Sequence, residues 1–109
     1  MAGVAFCTVL PYITFMEIGS VSHKGLKRLI EKDDAKGVSA DQLRRIRNVL
    51  TKLIAAPDLE NLGAPPGWRV HELQGDRAGV VSISVTGNWR LTFKVIEGVI
   101  EELDLEDYH

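Results

Sequence analysis

The chain has 109 residues, of which 45% are hydrophobic and 26% charged; this is the composition of one globular domain and excludes two large ones. Its net charge of −2 lacks the overall basic excess that is the usual electrostatic signature of a nucleic-acid-binding protein. The single cysteine, Cys7, excludes an internal disulfide and a multi-cysteine zinc site, so a reducing cytoplasm is the expected compartment.

The first sixteen residues carry no charge. The stretch is too short to cross a bilayer as a helix, Pro11 interrupts it, and it lacks the positive segment that begins a secretory signal. We therefore expect no membrane association and divide the chain into an extension, residues 1–16, and a single domain, residues 17–109. An added strand, a disordered arm and a partner contact all remain open for the extension.

Two amphipathic helices are predicted next. The first covers residues 22–32, where three apolar residues share one helical face: Leu26, Leu29 and Ile30. Residues 33–37 are predicted as the helix exit, in which Gly37 can adopt positive φ at low cost. Residues 22–52 carry nine cations against four anions, net +5, which either coat solvated helix faces or bind an anionic partner.

The second helix is predicted to begin at Ser39, because Gln42 three residues later completes the pattern of a capping box. Pro57 ends it. A continuous apolar stripe faces the core, formed by Leu43, Ile46, Val49, Leu50, Leu53 and Ile54. The opposite face carries the cations Arg44, Arg45 and Lys52.

From residue 69 onward the apolar period changes to two, which predicts an antiparallel meander of about four strands. The strands are Arg69–Leu73, 81–85, 89–95 and Val99–Leu105. The sequences Thr86-Gly87-Asn88 and Glu97-Gly98 are typical of the tight turns between them. Two helices followed by such a meander indicate an α+β fold in which both helices pack on one face of the sheet.

The alternation also assigns side chains to the two sheet faces. The face towards the helices receives Trp89, Leu91, Phe93 and Val95, and the other receives Arg90, Thr92, Lys94 and the serines at 82 and 84. A polar face of this kind is often simply solvated. The planar fork of Arg90 and the point charge of Lys94 are also suited to holding a phosphate backbone.

Acid–base chemistry near neutral pH points to the histidines, because imidazole can both give and take a proton there. His71 lies on the first predicted strand, before the turn that contains Arg77. The chain ends in Asp107, Tyr108 and His109, which gather a carboxylate, a phenol and an imidazole. The sequence has no HxH, HExxH or CxxC spacing, so neither a metal site nor another cofactor is expected.

Five segments resemble, in order and spacing, the HigB-like toxins of the RelE/ParE superfamily: HKGLKRL at 23–29, PPGWRVHEL at 65–73, GDRAG at 75–79, NWRLTF at 88–93 and EDYH at 106–109. The resemblance covers roughly residues 18–109 and implies the compact RelE-like fold. Since family chains begin close to Ile18, it makes Met16 the expected natural start and residues 1–15 an upstream extension.

The resemblance implies a ribosome-dependent mRNA endonuclease that inhibits translation. It also implies a helix-turn-helix antitoxin of the HigA type, which neutralises the toxin in a hetero-oligomer. The catalytic residues that it implies are His71, Arg90, Asp107, Tyr108 and His109. Arg77 and Lys94 would contact the RNA close by.

These residue types suit RNA cleavage without a metal ion, in which the 2′-OH attacks the adjacent phosphorus. The reaction needs a base for the 2′-OH, an acid for the 5′-oxygen and cations for the growing charge on phosphate. His71 and His109 would share the proton transfers, and Asp107 would orient a histidine or act as the base. Tyr108 would stack on a base or bind the phosphate, which Arg90 would clamp.

Two other functions stay open, because one fold hosts many functions. ParE relatives bind DNA gyrase and cut no RNA, although such an inhibitor has no need of a terminal Asp-Tyr-His beside a second histidine. A degenerate toxin that only binds its antitoxin is the other alternative. It is favoured by Gln74, where the family often has lysine, and by the ten anions against four cations in residues 53–109.

Overall fold

A computed structural model, which describes residues 16–107, shows a five-stranded sheet with two helices on one face. The strand order is β1-β5-β4-β3-β2, and all pairings except that of β1 with β5 are antiparallel. The predicted α+β architecture is confirmed. The elements in chain order are β1 (Glu17–Ile18), α1 (Lys24–Lys32), α2 (Ala40–Ala55), β2 (His71–Glu72), β3 (Val81–Thr86), β4 (Trp89–Ile96) and β5 (Val99–Asp107).

The sheet has one strand more than the predicted meander. β1 pairs in parallel with β5 and places Ile18 opposite Ile100. Met16, just before β1, is 1% exposed, and its amide donates to the carbonyl of Ala56 at 3.1 Å. The predicted extension included Met16, whereas its packing places that residue within the domain. Residues 1–15 lie outside the described part of the chain.

The first helix ends within the predicted exit, residues 33–37. Its left-handed exit residue is Asp33, with φ 53°, and not Gly37. Gly37 instead allows a close backbone contact, because a Cβ added at Gly25 would lie 2.3 Å from the Gly37 carbonyl oxygen. The amino end of α1 therefore packs directly on the loop that leads to α2.

The second helix begins after Ser39, as the sequence indicates, but the Ser39 side chain makes no capping hydrogen bond, so the capping box with Gln42 does not form. Ile54, predicted for the apolar stripe, is 47% exposed near the carboxyl end. Arg45, predicted for the solvated face, turns back to the sheet and donates to the carbonyl of Ser84 at 3.1 Å.

The core lies between the helices and the sheet. Its largest fully buried apolar side chains come from both layers: Phe93, Met16, Leu26, Ile46, Leu53, Ile83, Leu91, Ile100 and Leu103. Trp89, predicted to point into this core, is 36% exposed at the beginning of β4. The ring is therefore not part of the buried core.

A bulge interrupts β5, which also continues two residues beyond its predicted end. Glu102 has φ 57° there, and the register with β4 shifts by one residue. The extra residue lets Ile100 and Leu103 both face the core although three positions separate them. Beyond the bulge, Arg90 stands opposite Glu106, one residue further along β5 than in an unbroken ladder.

Candidate active site

The sheet face away from the helices carries a row of polar residues. Directly opposite residues on neighbouring strands share a face. The register aligns four residues in this way: His71 on β2, Ser82 on β3, Thr92 on β4 and Asp104 on β5. The fold therefore brings His71 onto the same face as the polar positions of the last strand.

Arg90 lies on this face, two residues from Thr92 along β4. Its guanidinium donates to the hydroxyl of Ser84 at 3.2 Å and contacts that of Ser82 at 3.4 Å. Ser82 is fully buried, and a buried hydroxyl is costly without a hydrogen-bond partner. The serines of β3 thus orient the half-buried arginine over the polar face, as the strand alternation predicts.

Arg77 reaches the same face from a short 3-10 turn, Gly75–Arg77, between β2 and β3. Its two terminal nitrogens donate to the two carboxylate oxygens of Glu106, at 2.8 and 2.6 Å. The Thr92 hydroxyl also donates to this carboxylate. These donors hold the pKa of Glu106 below its usual 4.5, chiefly through the Arg77 hydrogen bonds, and outweigh the opposing effect of burial.

Lys94 is also close to an acid of β5. Its ammonium lies 3.6 Å from the Glu102 carboxylate, and both side chains are well exposed. A small cavity of about 90 Å³ separates this pair from the Arg77–Glu106 pair and is lined by Asp104 as well. The two cations predicted to contact RNA therefore lie on the proposed face, each beside a carboxylate.

His71 is exposed on β2 and lines an open depression of about 510 Å³ together with Gln74, Asp76 and Arg77. The loop that forms this depression is tied to β2, because the amide of Gly79 donates to the carboxylate of Glu72 at 3.1 Å. The imidazole and the Arg77 guanidinium thus line one concave surface open to solvent.

The end of β5 adds Asp107, which stands opposite Trp89 in the register and one residue beyond the Arg90–Glu106 pair. Tyr108 and His109, the other two predicted terminal catalytic residues, lie outside the described residues. Five of the seven predicted site residues can thus be located. His71, Arg77, Arg90 and Lys94 gather on or beside the polar face, and Asp107 lies at its end.

From the sequence alone, Glu106 counts only among the ten anions of residues 53–109, and Thr92 takes a place on the polar face without a role. The structure makes both of them partners within the site. The available signal was the spacing of Ile100, Leu103 and Leu105, which breaks the strand period of two and marks a bulge. Once that bulge is counted, Glu106 falls opposite Arg90.

Within residues 16–107, no group of three or more histidine, cysteine, aspartate or glutamate side chains is arranged to hold a metal ion. The helices in that part of the chain are also too short or too polar to cross a membrane.

Comparison with known proteins gives a family match over nearly the whole described domain. Residues 19–109 match the family described as RelE-like toxin of type II toxin-antitoxin system HigB. Endoribonuclease HigB of Proteus vulgaris is 42% identical over 92 residues, which cover 84% of this chain and 99% of that protein.

Solved structures resemble the fold. The crystal structure of YafQ from E. coli strain BL21(DE3) superposes with a TM-score of 0.53 at 16% identity, over 84% of this chain and 92% of that one. A chain of the E. coli DinJ-YafQ toxin-antitoxin complex superposes with a TM-score of 0.56 at 18% identity, over 84% and 91%. At these identities the likeness concerns the fold alone.

Proposed function

This chain belongs to the HigB-like toxins, the RelE-like toxins of type II toxin–antitoxin systems, and from that membership we propose that it is an endoribonuclease that cleaves mRNA and so arrests translation. The observation that carries the proposal is the convergence of His71, Arg77 and Arg90 on one sheet face. That face offers a proton-transfer group beside cationic donors, which is what cleavage of a phosphodiester requires.

In the proposed reaction, the ribose 2′-oxygen forms a bond to phosphorus and the bond from phosphorus to the 5′-oxygen breaks. A base takes the 2′-OH proton and an acid protonates the departing 5′-oxygen, so the products are a 2′,3′-cyclic phosphate and a 5′-hydroxyl. Each proton transfer contributes about 10²–10⁴-fold to the rate. Prepositioned cations stabilise the charge that builds on the non-bridging oxygens.

The described residues supply part of this machinery. His71, which lines the open depression, transfers a proton. Arg90, oriented by the serines of β3, binds the phosphate through two guanidinium N–H groups. Arg77 and Lys94 contact the flanking RNA. For the chain end we propose that His109 shares the proton transfers with His71, that Asp107 orients a histidine or acts as the base, and that Tyr108 stacks on a base or binds the phosphate.

The charge distribution supports a mechanism in which one side of the molecule binds the ribosome and the other cuts the mRNA. The polar face carries several acids of β5 beside its cations, which disfavours binding of naked RNA. Residues 22–52, which contain both helices, carry a net charge of +5. We propose that this helical side contacts ribosomal RNA in the cytoplasm and that the ribosome presents the mRNA to the polar face.

Neutralisation by an antitoxin belongs to the same proposal. One of the structural neighbours, YafQ, is found in a toxin-antitoxin complex with DinJ. By analogy, this toxin forms a hetero-oligomer with its own antitoxin, for which we propose the helix-turn-helix HigA type.

The test is to map mRNA 5′ ends in a reconstituted translation reaction with and without ribosomes. We expect cuts that need ribosomes and that are lost with His71→Ala. The control is Glu60→Ala, an exposed loop substitution away from the polar face. Intact mRNA with folded wild-type protein would contradict the nuclease and turn attention to gyrase inhibition, read out as DNA damage signalling, or to antitoxin binding alone.

A further inference from the structure

A second concave surface lies where the amino ends of α1 and α2 meet the beginning of β4. This helix-end crevice has a volume of about 350 Å³, and its lining includes His23, Ser39, Asp41, Gln42 and Trp89. It shares no lining residue with the depression around His71. The proton-transfer chemistry proposed for the polar face makes no use of it.

Trp89 forms an aromatic wall of the crevice. It is 36% exposed, although tryptophan is among the side chains that gain most from burial. Asp107 stands directly opposite Trp89 in the register of β4 and β5. The exposed ring therefore lies at the same end of the sheet as Asp107.

Gln42 gives the crevice a hydrogen-bonding group that the fold itself does not use. The residue is only 5% exposed, and its side-chain amide makes no hydrogen bond within the described part of the chain. Its amide atoms are not sealed from solvent, so they are available to a ligand in the crevice. A ligand that offers both a donor and an acceptor would bind them.

His23 adds a donor of defined tautomer. Its Nδ1 accepts the amide hydrogen of Leu26 at 3.1 Å as the cap of α1. In the neutral ring the proton must therefore be on Nε2, which can only donate. The crevice thus combines a stacking surface with groups that both donate and accept hydrogen bonds.

The charges favour a base and disfavour a phosphate. Asp41 is in the first turn of α2, and its carboxylate accepts the Ser39 hydroxyl. This fixed negative charge offsets the positive end of the helix dipole and repels a phosphate. A planar, uncharged ring with polar edges fits the aromatic wall, the amide and the imidazole.

We propose that the helix-end crevice binds one unpaired nucleobase of the mRNA whose cleaved bond lies on the polar face. The base stacks on Trp89 while Gln42 and His23 read its edge, as proteins read single-stranded RNA elsewhere. This inference rests on the proposed function, because it assigns a base-recognition site to the same nuclease.

Direct binding can be measured without cleavage. The chain has two tryptophans, and Trp68 is buried, so Trp68→Phe leaves Trp89 as the only tryptophan emitter. We expect trinucleotides with 2′-deoxyribose, which cannot be cut through a 2′-OH, to quench this emission with different affinities for different bases. Gln42→Met should weaken the preferred trinucleotide about tenfold, within the range of one base contact. Emission unchanged by every trinucleotide would overturn the proposal and indicate a crevice kept for a protein side chain.

Mapping of cut sites supplies the second readout. Gln42→Met should change the base preference at one position near the cut, whereas Asn48→Met, the same type of change at an exposed site of α2, should leave the pattern unchanged. An unaltered preference with Gln42→Met would overturn the inference while the nuclease stands. Base-dependent quenching in a protein that never cuts mRNA would contradict the nuclease and leave the binding site.

Discussion

The Arg77 guanidinium and the Glu106 carboxylate form a two-point ion pair across 29 residues of sequence, with distances of 2.8 and 2.6 Å. The pair ties the 3-10 turn before β3 to the last strand. It also directs both terminal nitrogens of Arg77 at an internal anion, where a phosphate would otherwise bind. Glu106 therefore competes with RNA for a cation of the candidate site.

Glu106→Gln should strengthen binding of single-stranded RNA. The substitution removes one negative charge from the polar face and leaves Arg77 with a neutral partner that a phosphate can displace. If one phosphate contact is gained, the slope of log affinity against log salt should steepen by about 0.7. Fluorescence anisotropy with a 2′-O-methylated RNA over a range of salt concentrations measures both effects.

The control for that experiment is Glu60→Gln, which makes the same change of charge on an exposed loop. Equal affinities and slopes for both variants would show that the RNA does not approach Arg77.

Glu106→Gln should also alter the pH dependence of the unfolding free energy. Because the folded-state pKa of Glu106 lies below 4.5, ionised Glu106 stabilises the fold at neutral pH, and this contribution is lost as pH falls from about 4.5 through the folded-state value. Both partners are partly exposed, so we expect only about 0.2–1 kcal/mol. Urea unfolding at several pH values should show wild type above Glu106→Gln at pH 7 and the two converging in acid; a constant difference would contradict this assignment.

His71→Ala should separate activity from stability. The side chain is exposed on β2, and we expect the unfolding free energy to change by less than about 0.5 kcal/mol. Loss of one proton-transfer group should slow ribosome-dependent cleavage about 10²–10⁴-fold. Single-turnover cleavage and urea unfolding of the same preparation check both parts. Full cleavage by the variant would remove His71 from the mechanism.

Gly25→Ala should destabilise the fold strongly. A Cβ at this position would lie 2.3 Å from the carbonyl oxygen of Gly37, and backbone cannot rotate away as a side chain can. Overpacking of this kind costs about 1–3 kcal/mol, with a matching fall in Tm. Gly67→Ala is the control, because a Cβ there meets nothing within 4 Å. Similar Tm values for the two variants would show that the contact yields easily.

A chain that begins at Met16 should fold and cleave like the full chain. Residues 16–107 contain two helices, a five-stranded sheet and the core between them, and the Met16 side chain fills part of that core. Thermal unfolding and cleavage in the translation reaction should agree with the full chain within error. Loss of either property would show that residues 1–15 contribute to the domain.

Several features of the site could be predicted locally. Strand alternation assigns Arg90, Thr92 and Lys94 to one face, and the short turns limit which strands can pair. The placement of Trp89 was only half right, since alternation gives the face of a side chain and not how much of it the helices cover. How much of a side chain the helices cover depends on the distance between the helix layer and the sheet. The sequence of a single strand does not specify that distance.

The sequence by itself determined the two helices, the antiparallel meander and the polarity of each sheet face, because these follow from periodicities of 3.6 and 2 within short segments. Only the tertiary structure decided which charges meet. The bulge at Glu102 moves Glu106 opposite Arg90, and the turn Gly75–Arg77 brings Arg77 onto that carboxylate. Both results depend on packing between segments far apart in the chain, since a register shift of one residue exchanges every partner beyond it.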